Sequence, residues 1–179
     1  MDFLTGYEGR EAEIIDLFTA AFTASEGDEE GALIGELVRD LLGGTAEKDL
    51  FVFTAEELGV IIGGIVFSRL TFARDERTVF VLGPVAVATD QQGIGIGQRL
   101  LTHGLAALHR AGVDIAVTYG DPNYYAKVGF MPIREVDVPA PFPLKHPEGW
   151  QGQSLTDQAM APLKGPSRCV EALNDPVFW

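Results

Sequence analysis

Three scarcities narrow the class of this 179-residue chain. Cys169 is the single cysteine, so neither a disulfide framework nor a cysteine-based metal cluster is available. No apolar run approaches the roughly 20 residues that a bilayer-spanning helix needs. The first residues, Met1-Asp2-Phe3-Leu4, lack the basic stretch and apolar core of a signal peptide. We therefore expect a cytoplasmic protein with no metal and no membrane partner.

Positive charge is also scarce. The chain has 13 Lys and Arg against 26 Asp and Glu, which gives a formal net charge of −13. Binding to nucleic acid needs clustered Lys and Arg, so we expect no nucleic-acid partner. An acidic surface favours a cationic substrate such as an amine. The length and an apolar share of 46% suit a single domain, 1–179, with a sizeable core.

Periodicity predicts a mixed α/β arrangement with helices and strands interleaved. The segments with helical or strand spacing are helices at 10–22, 32–42 and 94–111, and strands at 50–53, 60–72, 78–87, 115–119, 130–138, 150–155 and 168–173. An acidic loop at 23–31 is expected to join the first two helices. Asp121-Pro122 is expected to open a short helix that Gly129 closes. Four prolines between 139 and 147 predict a loop near the active-site mouth.

A glycine-rich segment, Gln92-Gly93-Ile94-Gly95-Ile96-Gly97, stands between the apolar run 79–87 and a helix. Each glycine permits positive φ and a close approach of backbone to a ligand. The first turn of the helix offers unpaired N–H groups at the positive end of a dipole. The sequence therefore predicts a site for a pyrophosphate.

Two common phosphate motifs do not match this segment. A Walker loop needs Lys followed by Ser or Thr after its last glycine, and Gly97 is followed by Gln98 and Arg99. The dinucleotide fingerprint needs a glycine at position 98. What is left is the pattern Gln92-x-x-Gly95-x-Gly97.

That pattern resembles the coenzyme A signature Q/R-x-x-G-x-G/A of the GNAT N-acetyltransferase superfamily. Upstream, the segment 85–90 is similar to the family's strand and turn, with Thr89 where the family often has proline. Downstream, the segment from Asn123 to Phe130 resembles its "fYxxxGF" motif. The resemblance covers about 79–136, the expected coenzyme-binding core, and 137–179 adds strands and the proline-rich loop.

The resemblance implies a GNAT fold, with a mixed, mostly antiparallel central sheet flanked by helices. It implies a bulge that splays the strand ending at Val87 from the strand 115–119 and leaves a cleft for coenzyme A. It also implies acetyl-coenzyme A as co-substrate. The residues expected to bind it are Val85, Val87, Gln92, Gly93, Ile94, Gly95, Ile96, Gly97, Asn123 and Tyr125.

The resemblance also suggests catalytic roles. The backbone N–H of Val87 is the expected oxyanion donor. Tyr125 stands where the family has its general acid, and a phenol holds its proton at neutral pH. Tyr124 is expected to pack, and the cations Arg99, Arg110 and Lys127 are expected to be surface charges unless they help the nucleotide end.

The general base stays open, and a water chain is an alternative to a side chain. The candidates are Glu26, Asp28, Glu29, Glu30, Asp121 and His146. Asp121 also fits a helix N-cap, which we favour for it. His103 and His109 are expected on the solvated side of their helix.

The expected function is transfer of an acetyl group from acetyl-coenzyme A to a primary amine of a small molecule or peptide, by direct attack in a ternary complex. Alternatives are a non-catalytic acetyl-coenzyme A sensor or regulatory module, and an acyltransferase that uses another acyl-coenzyme A. The acceptor stays open, as does the choice between monomer and homodimer. The apolar ending 176–179 could pack on its own chain or on a second copy.

Overall fold

The computed structural model describes all residues, 1–179. The helices are α1 (Glu11–Glu26), α2 (Asp28–Gly44), α3 (Ile96–Arg110) and α4 (Pro122–Tyr125). The strands are β1 (Asp2–Thr5), β2 (Leu50–Glu57), β3 (Val60–Phe72), β4 (Asp75–Val87), β5 (Ile115–Tyr119), β6 (Met131–Pro132), β7 (Trp150–Ser154) and β8 (Ser167–Arg168). None of the helices combines the length and the apolar character needed to cross a bilayer.

The strands form one mixed sheet in the order β1-β2-β3-β4-β5-β7-β6, and β8 pairs with β3. The β4–β5 pair is parallel, whereas β1–β2, β5–β7, β6–β7 and β3–β8 are antiparallel. The predicted fold, a mostly antiparallel sheet flanked by helices, is confirmed. The parallel pair is expected where α3 forms the crossover, because parallel strands need a long connection.

The residues group into two compact units. The first comprises Met1–Phe67 and Pro84–Gly104, and the second comprises Ser68–Gly83 and Leu105–Trp179. The expectation of a single domain stays a prediction.

In the first unit, two adjacent glycines of β3 bring helices onto opposite faces of the sheet. A Cβ on Gly63 would lie 3.3 Å from Leu100 of α3, and one on Gly64 would lie 2.9 Å from Phe18 of α1. Successive residues of a strand point to opposite faces, so α1 and α3 cover different sides. The absence of side chains at both positions lets each helix approach closely.

Helices α1 and α2 pack through small residues. A Cβ on Gly31 would fall on the hydroxyl of Thr23 and 2.9 Å from the backbone oxygen of Thr19, and one on Gly35 would fall on the hydroxyl of Thr19. The two helix backbones therefore approach more closely than most side chains allow.

The predicted acidic loop at 23–31 is wrong. Helix α1 continues to Glu26, Gly27 ends it with φ 98°, and α2 begins at Asp28. Asp28, Glu29 and Glu30 form the first turn of α2, where carboxylates are stabilised by the helix dipole. Residues 24–29 are exposed, but exposure did not prevent helix formation.

The second unit is closed by contacts from its C-terminal segment. The guanidinium of Arg77 donates to the carbonyls of Ala161 (2.9 Å) and Pro162 (2.8 Å). It also pairs with Asp75, which lowers the pKa of that carboxyl to about 2. Trp179 is buried against Trp150, with ring centroids 6.1 Å apart, so the apolar ending packs on its own chain.

Two predicted strands are much shorter than expected. Only Met131–Pro132 of the segment 130–138 is strand, because a turn follows in which the carbonyl of Arg134 accepts from the N–H groups of Asp137 (3.0 Å) and Val138 (2.9 Å). Of the segment 168–173, Arg168 belongs to β8, and Glu171–Leu173 is a 3-10 turn.

Sequence reasoning also missed β1 and misplaced one histidine. The residues of β1 pair with β2 as an edge strand. His103 is not on a solvated face, because its ring lies 5.3 Å from Phe3 and 5.8 Å from Phe53.

Close packing of α1 on α2 predicts that Gly31→Ala lowers the free energy of unfolding by about 1–3 kcal/mol, the usual cost of overpacking. Chemical denaturation measures the change. The matched control is Gly43→Ala in the same helix, where a Cβ meets nothing within 4 Å. Because alanine forms helix more readily than glycine, we expect the free energy of unfolding of Gly43→Ala to rise by up to about 1 kcal/mol. Equal effects of the two variants would contradict the close approach at Gly31.

Candidate functional site

Strand β4 changes the direction of its backbone groups near Gly83. In a regular strand, residues an even number apart direct their N–H and C=O groups to the same edge. The carbonyl of Leu82 accepts a hydrogen bond from the hydroxyl of Thr118 on β5 (3.1 Å). Ala88, an even number of residues further on, donates its N–H to Ile62 on β3 instead (2.8 Å). An extra residue therefore interrupts the strand, and Gly83, with φ 155°, marks the predicted bulge.

Beyond the bulge, β4 has an edge that does not pair with β5. The β4–β5 register ends at Leu82 and Thr118. The N–H and C=O of one peptide unit point in opposite directions. Because the N–H of Ala88 bonds β3, the carbonyl of Val87 in the same peptide unit points away from β3. The backbone groups of Val85 and Val87 thus point to the unpaired edge, and both residues are half-buried.

The side chain of Gln92 closes the turn that follows. Its amide Nε2 donates to the carbonyl of Val87 (3.0 Å). Sequence reasoning gave Gln92 only a backbone role. The structure adds a tie between the strand end and the glycine loop, and it leaves the N–H of Val87, not its carbonyl, for a ligand.

The glycine loop opens directly into α3. Gly93 and Gly95 adopt φ of 82° and 83°, and a Cβ on either would meet nothing within 4 Å. The side chain of Ile94 between them is 64% exposed. Open space above a left-handed backbone is what a close-lying ligand requires.

Gly97 differs from the other two glycines. It does not adopt positive φ, because α3 begins at Ile96 and Gly97 lies buried in the first helical turn. The N–H of Arg99 bonds the carbonyl of Gly95 (3.1 Å). The N–H groups of Ile96, Gly97 and Gln98 precede that bond, so they have no carbonyl within the helix to bond.

Asp121 and Pro122 start α4 as predicted. The Asp121 carboxylate accepts from the N–H of Asn123 (2.9 Å), and Pro122 occupies the first helical position. This cap uses the backbone donor of Asn123, so only its exposed side-chain amide is left for a coenzyme contact. Gly129, at φ 96°, ends the segment.

Tyr125 lies in a pocket of rings in the second unit. Its ring meets Tyr124 at 5.1 Å and Phe130 at 5.8 Å between centroids, edge to face in both cases. A Cβ on Gly120 would come within 2.9 Å of its Cε2 atom, so the ring fits only beside a glycine. Its phenol hydrogen-bonds Thr118.

Burial is the main reason why the pKa of Tyr125 rises well above its ordinary value. The neighbouring Tyr124 and Asp121 raise this pKa further, and the hydrogen bond with Thr118 opposes them. The phenol is therefore protonated throughout the neutral range and is a proton donor there.

The candidate bases occupy different settings. The Asp121 carboxylate serves as the cap of α4. Glu26, Asp28 and Glu29 lie exposed at the end of α1 and the start of α2, and Glu30 is half-buried. His146 is exposed, with its Nδ1 3.5 Å from the carboxylate of Glu148, a residue that sequence reasoning did not single out.

Several charged groups play no visible part in these arrangements. Arg99, Arg110 and Lys127 are exposed, as expected of surface charges. The structure contains no group of three or more His, Cys, Asp or Glu side chains that could hold a metal ion.

Comparison with known proteins gives concordant matches. Residues 11–130 match the model of the acetyltransferase (GNAT) family. An uncharacterised N-acetyltransferase of Escherichia coli strain K12, YjhQ, is 34% identical over 141 residues, which are 76% of this chain and 77% of that protein.

Two solved structures share the fold. A GNAT family acetyltransferase from Brucella melitensis, in complex with acetyl-coenzyme A, has a TM-score of 0.75 and 28% identity, and the match covers 96% of this chain and 97% of that one. YhbS from Escherichia coli, in complex with coenzyme A, has a TM-score of 0.83 and 24% identity, with coverage of 98% and 92%. The family model spans well over half of the residues, and the resemblance read from the motifs is thereby confirmed: the chain belongs to the GNAT family of acetyltransferases, whose co-substrate is acetyl-coenzyme A.

Proposed function

We propose that this protein transfers the acetyl group of acetyl-coenzyme A to a primary amine of a small molecule or peptide, by direct attack in a ternary complex. The observation that carries the proposal is the unpaired edge of β4, which runs straight into a helix N-terminus with open backbone donors. We further propose that it works in the cytoplasm, as a monomer or homodimer. The net charge of −13 supports a cationic acceptor.

The coenzyme is held by backbone groups in this proposal. The amide groups of the pantetheine arm pair with Val85 and with the N–H of Val87, like an added strand. The pyrophosphate lies on the N–H groups from Gln92 to Gly97, where the left-handed glycines leave space. Because these donors carry no net charge, an acidic protein can still bind a polyanion.

The reaction needs one bond to form and one to break. The neutral amine nitrogen attacks the thioester carbonyl carbon, the C–N bond forms, and the C–S bond breaks. The N–H of Val87 stabilises the oxyanion that develops. The amine loses one proton to a base or water, and Tyr125 gives one proton to the departing thiolate.

Tyr125→Phe removes the proposed proton donor and keeps the ring. We expect kcat to fall about 10²-fold, as for loss of a general acid, with the affinity for acetyl-coenzyme A unchanged. Release of free thiol, followed with several amines, measures the rate. The matched control is Tyr124→Phe, which loses the same hydroxyl from a neighbouring ring. Unchanged turnover in Tyr125→Phe would remove this residue from the mechanism.

The pKa of Tyr125 also predicts a pH profile. A group that acts as an acid works below its pKa, so a raised pKa moves the loss of activity to higher pH. We expect no fall in kcat from Tyr125 ionisation up to about pH 10, where an ordinary tyrosine titrates. A decline below about pH 9 that is present in the native protein and absent in Tyr125→Phe would contradict this assignment.

Gly95→Val tests the coenzyme loop. The side chain enters the open space above the loop, so we expect the Kd for acetyl-coenzyme A to rise about tenfold or more, which corresponds to roughly 1.4 kcal/mol. Calorimetric titration measures this Kd, with thermal unfolding alongside. Gly59→Val is the control, because Gly59 has φ 80° and open space but lies in the β2–β3 turn. Both variants carry the same backbone strain, and an equal loss of affinity would refute the loop as the binding element.

The sensor alternative differs in one measurement. A sensor binds acetyl-coenzyme A without releasing thiol when amines are added. Binding of acetyl-coenzyme A and free coenzyme A, together with amine-dependent thiol release, supports the enzyme.

A further inference from the structure

We propose that the acceptor binds in a pocket between the segments 119–122 and 146–149, and that it is a small primary amine with an apolar body and no carboxylate. This inference rests on the proposed acetyl transfer and names the substrate class for it. The pocket lies wholly in the second unit and has a volume of about 350 Å³.

Hydrogen bonds hold the two segments together. The hydroxyl of Tyr119 accepts the N–H of His146 (2.7 Å), and the N–H of Gly120 donates to the carbonyl of Gly149 (3.0 Å). The buried amide of Gln151 donates to the carbonyls of both Gly120 (3.2 Å) and Gly149 (3.1 Å). Both walls are therefore fixed before a ligand arrives, which lowers the entropic cost of binding.

The contact at Gly149 is too close for a side chain. A Cβ there would lie 2.9 Å from the carbonyl oxygen of Gly120. The two backbones, both part of the pocket lining, therefore meet directly.

The pocket shares a wall with Tyr125. Gly120 lines the pocket, and the ring of Tyr125 packs directly against it. The next residue, Asp121, also lines the pocket and accepts the N–H of Tyr125 through its carbonyl (3.2 Å). An amine held here is next to the proposed proton donor.

The lining selects for a cation with an apolar body. The rings of Tyr119 and Pro122 supply apolar surface, and the hydroxyl of Tyr119 is already bonded to the loop. Two carboxylates, Asp121 and Glu148, lie in the lining, and no Lys or Arg does. An ammonium is attracted to this pocket by charge and by the tyrosine ring, whereas a carboxylate is repelled.

Size separates a small molecule from a peptide. Ligand pockets in proteins span about 300–1,000 Å³, so this one is at the small end. It suits an arylalkyl or branched alkyl amine. A lysine side chain presented by a peptide would leave the flanking residues outside the pocket.

Glu148→Gln provides the test, with phenethylamine as the probe. Glu148 is exposed, so removing its charge is expected to raise KM for phenethylamine about two- to fivefold, the range for an exposed ion pair. The kcat and the KM for acetyl-coenzyme A are expected to stay unchanged. Phenylhydrazine, which is uncharged at neutral pH, should show no change in KM. The matched control is Glu76→Gln, an exposed carboxylate outside the pocket.

Binding is measured independently of turnover, by ligand-detected NMR of phenethylamine with protein saturated with coenzyme A. Weaker binding in Glu148→Gln than in Glu76→Gln supports the pocket. Equal binding of phenethylamine by the two variants overturns the proposal. A change confined to the KM for acetyl-coenzyme A also overturns it, because the pocket would then bind the coenzyme and not the acceptor.

Failure of this inference is distinguishable from failure of the proposed function. If acetyl-coenzyme A binds and a lysine-containing peptide is acetylated while phenethylamine is neither bound nor acetylated, the pocket proposal is wrong and acetyl transfer stands. If acetyl-coenzyme A does not bind, or binds with no thiol release for any amine, acetyl transfer itself is wrong.

Discussion

The proposed coenzyme site depends on one extra residue in β4. At Leu82, an even-numbered residue, the backbone of β4 bonds β5. Past Gly83, the backbone groups of even-numbered residues point to β3 instead, as the N–H of Ala88 does. Backbone donors in a sheet normally find partners, because an unpaired one is costly once it loses water. The bulge therefore leaves Val85 and Val87 with groups that an extended ligand can satisfy. A regular strand of the same sequence length would have turned those groups toward β3.

The glycine loop that follows β4 also offers backbone N–H groups, and there they act on an anion. Gln92 fastens the end of the strand to the loop, and two left-handed glycines lead into α3. Donors fixed in this way need no reorganisation when an anion arrives, so they act as partial positive charges already in position. The phosphate site that we propose is thus compatible with a chain that has twice as many acidic as basic residues.

Local signals made much of this site predictable from sequence. The glycine loop, the cap at Asp121 and the end at Gly129 of the 3-10 turn that follows α4 depend on residues close in the chain, where backbone preference decides. The failures depend on distant partners or on burial. The edge strand β1 has its partner in β2, and the pocket residue Glu148 becomes visible only when the hydroxyl of Tyr119 holds its loop. The turn at Arg134 is an exception, because it ends the expected strand through local hydrogen bonds from the N–H groups of Asp137 and Val138 to the carbonyl of Arg134.

The proline-rich segment before the proposed acceptor pocket has a consequence for how this protein could diversify. At its start, the carbonyl of Val138 accepts from the indole of Trp150 and that of Pro139 accepts from the hydroxyl of Ser167. At its end, the N–H of His146 donates to the hydroxyl of Tyr119. Between these anchors, prolines restrict the backbone by covalent geometry, and Leu144 is the one buried residue among 139–146. Such a segment can be exchanged as one piece. With the acceptor in the pocket that we propose, exchanging this segment between its anchors changes the acceptor that fits, while the glycine loop, which belongs to the other unit, keeps its sequence.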